Sequence, residues 1–69
     1  MALVDRGTRR VVDVLPGDFV WNPYRATWVR VASVNLAVGN GWWEVVDDAG
    51  RMMVFAPGSR VRVAVEVLD

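Results

Sequence analysis

The sequence predicts an all-β domain, a small five-stranded barrel made from one strongly bent antiparallel sheet. Three observations carry this expectation. Valine is the commonest residue, and the apolar runs are short. Pro16-Gly17-Asp18, Gly39-Asn40-Gly41, Asp48-Ala49-Gly50 and Pro57-Gly58-Ser59 separate those runs with residues that favour tight turns. Finally, Arg60–Val67 alternates cleanly, with Val61, Val63, Val65 and Val67 on one side and Arg60, Arg62 and Glu66 on the other. No segment has the periodicity of a helix.

Residues 1–8 lack periodicity and read as a flexible N-terminal arm, leaving residues 9–69 for the barrel. Arg10–Leu15 is the first expected strand, stopped by Pro16-Gly17. Phe19–Trp21 resumes extended structure before a loop that Asn22-Pro23 opens and Thr27 closes. Trp28–Val38 is a long strand whose alternation breaks near Ala32–Ser33, because Val29 and Val31 share a parity that Val34 does not; a bulge there restores one inward face. Trp42–Asp47 and Arg51–Ala56 form a hairpin around Gly50 in the left-handed conformation. That geometry opposes Asp47 to Arg51, Val46 to Met52, Val45 to Met53 and Trp43 to Phe55.

The skeleton Leu15-Pro16-Gly17-Asp18-Phe19-Val20, Trp28-Val29-Arg30-Val31-Ala32-Ser33-Val34, Asp47-Asp48-Ala49-Gly50-Arg51, Phe55 and Arg60-Val61-Arg62-Val63 resembles the small SH3-like barrels found among actinobacteria and their phages. The resemblance spans about residues 10–67. It implies an SH3-like fold and transfers no catalytic residue. Leu15-Pro16-Gly17-Asp18 also resembles the self-splicing intein and hedgehog domains, but those require a longer chain, and the cysteine that many of them use is missing here.

With 69 residues, the chain makes one domain. Cysteine and histidine are both absent, which removes disulfides, thiolate catalysis and the usual zinc ligand sets. No apolar run reaches the length of a membrane span, so a soluble cytoplasmic domain is expected. Ser33 and Ser59 have neither histidine nor lysine to activate them, and Asp47 and Asp48 sit where aspartate opens a turn. The sequence therefore predicts no enzyme, no cofactor, no metal and no small-molecule substrate.

Two binding surfaces are expected. One follows from the hairpin. If Trp43, Val45, Met53 and Phe55 fill the barrel, then Trp42, Glu44, Val46, Met52 and Val54 face outward, four of the five apolar. A face of that composition suits self-association or a host or viral protein, unless Leu3 and Val4 of the arm fold over it. The other surface is basic: Arg6, Arg9 and Arg10 of the arm region with Arg60 and Arg62 of the last strand, aided by Trp21, Tyr24 or Trp28 as stacking platforms for a nucleic acid. A formal net charge of zero weighs against the second.

Overall fold

A computed structural model describes residues 2–37 and 39–68. Those residues form six strands: β1 (Ala2–Arg10), β2 (Phe19–Asn22), β3 (Thr27–Leu36), β4 (Trp43–Asp47), β5 (Met52–Phe55) and β6 (Arg60–Val67). All pairings are antiparallel, in one open sheet of order β1-β6-β2-β3-β4-β5. The all-β expectation holds at that level. Among the described residues no helix is long and apolar enough to cross a membrane.

The core is made almost entirely of valine. Val11, Val14, Val20, Val31, Val45, Val61 and Val63 are buried with Met53, and Val29, Val34, Trp43 and Phe55 pack against them half-buried. β-branched side chains suit this, since their restricted rotamers lie well on a pleated surface. β3 bends between Val31 and Ser33, which oppose Asp47 and Val46, so that Ala32 is the extra residue. The turn before β2 locks onto the same place. Gly17 N–H donates to the Val31 carbonyl at 2.8 Å, Val31 N–H to the Asp18 carbonyl at 2.8 Å, and Asp18 Oδ2 accepts the Leu15 amide at 2.9 Å. The end of the expected third strand, Val38, lies outside the described residues, as do Met1 and Asp69.

Two expectations at the N-terminus are corrected. The arm expected over residues 1–8 is, from Ala2 on, part of a strand that continues to Arg10, paired with β6 from Ala2↔Val67 to Arg10↔Arg60. Every side chain of β1 is exposed except Arg9, which is half-buried, so no alternation marks the strand in the sequence; main-chain bonds to β6 create it. The expected first strand over Arg10–Leu15 is absent. Val11–Asp13 is a single 3-10 turn that buries Val11 and Val14, three residues apart, and leaves Val12 exposed. The long loop expected after Trp21 is a tight turn joining β2 to β3. Asn22, itself buried, holds it by accepting the Tyr24 and Arg25 amides at Oδ1, at 3.0 and 3.3 Å.

β6 alternates as expected in its first half, with Val61 and Val63 buried and Arg60 and Arg62 exposed. Ala64 departs from this by being fully buried, because it lies between Asp5 of β1 and Phe19 of β2. β2 pairs with β6 only at Val63 and Ala64, so further on Val65 is half-buried and Val67 exposed.

Candidate functional site

The β4–β5 hairpin is built on Asp47. Its main chain bonds to Arg51 at 2.9 Å, and Oδ1 accepts the amides of Ala49 and Arg51, both at 2.9 Å. Gly50 closes the turn at φ +79°, a conformation open to glycine at little cost. The resulting register is Val46↔Met52, Val45↔Met53, Glu44↔Val54 and Trp43↔Phe55. Asp48 lies 4.0 Å from the Arg30 guanidinium. Both aspartates thus serve the turn and its flank.

This register separates two faces. Val45 and Met53 are buried, with Trp43 and Phe55 half-buried beside them. Opposite them, Met52 is 55% exposed, Val54 45% and Trp42 41%, while Val46 and Glu44 are half-buried. The pairings place Glu44 beside Val54 and Val46 beside Met52, a compact block of four. Trp42 precedes β4, its N–H bonded to Asn40 Oδ1 at 2.9 Å. β3 adds Ser33 and Asn35 beside Val46 and Glu44, with Asn35 Nδ2 donating to Ser33 Oγ at 3.3 Å. This polar rim was not anticipated, although the parity of β3 after its bulge carries the signal. Leu3 and Val4 lie along β6, opposite Glu66 and Val65, at the far end of the strand order from β5.

The basic residues are arranged otherwise. Arg6 is exposed in the stretch where β1 bulges against β6, between Asp5 and Thr8. Arg9 lies 3.7 Å from Asp18, Arg10 3.3 Å from Asp13, and Arg62 2.6 Å from Asp5. Arg60 donates to the Thr8 hydroxyl and carbonyl, both at 3.1 Å. Arg62 also stacks over Trp21 and Trp28, at 5.2 and 5.3 Å from the ring centroids. The two indoles are directly opposed on β2 and β3 and meet edge to face at 5.3 Å. Tyr24 stands apart in the turn, 86% exposed.

Asp5 connects these features. It accepts the Gly7 amide at Oδ1 (2.7 Å), which shapes the bulge, and holds Arg62 at Oδ2. The Arg62 hydrogen bond, followed by that of Gly7, keeps the Asp5 carboxyl below its ordinary value. A lowered folded-state value means that the contribution is complete above the ordinary carboxylate range and is lost as pH falls through the lowered value. Hydrogen exchange should therefore show the β1 amides losing protection in acid before those of β4. Asp5→Asn should remove that acid step.

No protein-family model matches this chain, and no curated protein or solved structure is significantly similar to it. The functional reading rests on the geometry above.

Proposed function

We propose that this protein is a non-enzymatic interaction module that self-associates through the outward face of the β4–β5 hairpin. The observation that carries the proposal is the exposure of Met52 and Val54 beside Val46 on one face of the hairpin, with Trp42 exposed just before β4 and Glu44 the one charged residue among them, a face that β1 leaves uncovered. Single exposed apolar residues are ordinary on a protein surface, whereas a contiguous group marks a contact. At about 25 cal/mol per Å², covering some 300 Å² contributes on the order of 7 kcal/mol before the cost of association. That cost is of similar size, so the expected complex is reversible and concentration-dependent.

Sedimentation velocity of the parent and of Met52→Glu, across a range of concentrations, tests this reading. The parent should gain mass with concentration and the variant should stay monomeric. A parent that remains monomeric throughout removes self-association from consideration.

The nucleic-acid reading has less support. Three of its five arginines, Arg9, Arg10 and Arg62, face carboxylates within 4 Å, and pairing of this kind reduces what is left to neutralise phosphates. The SH3-like type is proposed for β2–β6. Its support is a meander from β2 to β5, a bend in β3 that lets one strand serve both halves, and the return of β6 to the free edge of β2.

A further inference from the structure

We infer that two copies join edge to edge through β5, in antiparallel register about a two-fold axis at Met53, so that their sheets become continuous. The inference rests on the self-association reading above and places the contact at the strand edge that borders the outward face. Among the described residues, β5 is the last strand in the sheet order and bonds only to β4. Which of its main-chain groups are free follows from the bonding phase. Asp47 N–H donates to the Arg51 carbonyl, making Asp47/Arg51 a bonded pair. Bonded and non-bonded pairs alternate along an antiparallel ladder. Met53 and Phe55 therefore bond to Val45 and Trp43, while the N–H and C=O groups of Met52 and Val54 point away from β4.

These free groups are self-complementary. When β5 meets a second β5 antiparallel about Met53, Met52 of one copy opposes Val54 of the other, and Val54 opposes Met52. Each of these is a bonded pair exchanging two hydrogen bonds, so the contact satisfies all the free groups of both residues on both strands. The same register sets the exposed Met52 and Val54 side chains against Val54 and Met52 of the second copy, joining the two apolar blocks across the seam.

Charge and the self-complementarity of the edge favour a second copy as the occupant. Met52–Phe55 carries no charged residue, and the chain has a formal net charge of zero, so two copies meet without overall repulsion. The opposite edge of the sheet is guarded: β1 carries Asp5, Arg6, Arg9 and Arg10 and is bent by its bulge, devices that discourage strand addition. Closed pairs are expected rather than chains of molecules. Side-by-side pairing buries only the flanks of the two apolar blocks, well short of the roughly 1,200 Å² or more of a stable interface, so main-chain bonding along the edge carries the contact and the pair is weak and reversible.

The test uses the full chain, which has no native cysteine. Met52→Cys and Val54→Cys are prepared separately; both positions are exposed, so neither change disturbs the core. The two are then oxidised alone and as an equal mixture, at a concentration where the parent self-associates. In the inferred register residues 52 and 54 of different copies have Cα atoms about 5.5 Å apart, within reach of a disulfide, whereas 52 to 52 and 54 to 54 stand roughly 8 Å apart, beyond it. Mixed disulfide forming at least about five-fold faster than either homodisulfide supports the inference. Equal rates, in a parent that sediments as a dimer, overturn the edge pairing and leave self-association by face-to-face packing. A parent that is monomeric at every concentration overturns both.

Discussion

Asp47→Ala is expected to remove about 2–3 kcal/mol of folding stability, seen as a lower urea midpoint with an unchanged slope. Asp47 is only 5% exposed, and a single carboxylate oxygen accepts the amides of Ala49 and Arg51. Hydrogen bonds to a charged acceptor contribute about 1.5–3 kcal/mol each, but these share one oxygen and the Ala49 amide regains water when released, so the sum is not reached. Alanine also withdraws the group that starts the hairpin turn. Asp47→Asn keeps an acceptor at the same place and should cost about half as much or less. The core of a domain this small rarely supplies more than about 3–5 kcal/mol, so the alanine variant should keep no more than about 3 kcal/mol of stability. An alanine variant as stable as the parent would show that the turn holds without its side chain.

Val45→Ala should be as damaging, for a different reason. Val45 is 1% exposed at the centre of β4, packed within the valine core, and removing two methyl groups there both loses transfer energy and leaves a cavity. The expected loss is about 2–3 kcal/mol. Val54→Ala deletes the same atoms one strand away on the outward face and, in dilute solution, should change stability by no more than about 0.5 kcal/mol. The pair is a direct measurement of which side of the hairpin is inside. Equal losses at the two positions would mean that the outward face is covered within the monomer, and the self-association proposal would lose its basis.

Local chemistry made part of this molecule readable in advance. Asp48-Ala49-Gly50 closes a hairpin with one register, and one register assigns every side chain from Trp43 to Phe55 to a face. The break in alternation at Ala32–Ser33 likewise marks the bulge, because a strand with one buried face must restore its parity. The segment before β2 was misread because Val11, Val12 and Val14 satisfy a strand pattern about as well as a turn pattern. Three residues are too few for periodicity to decide between them. β1 was misread for the opposite reason. Burial creates alternation, and a strand that buries none of its side chains leaves no such trace.

By itself the sequence determined the β class, the turn positions, the hairpin and its outward apolar block, since each depends on residues close together in the chain. Only the tertiary structure decided that β1 joins β6 rather than covering the hairpin, that Asp5 holds Arg62 over Trp21 and Trp28, and that β5 is left with one open edge. Those features depend on which of several available edges a strand reaches, across large sequence separations such as Ala2 to Val67 and Asp5 to Arg62. Main-chain hydrogen bonding is the same for every sequence, so the choice among edges is made by the assembled sheet.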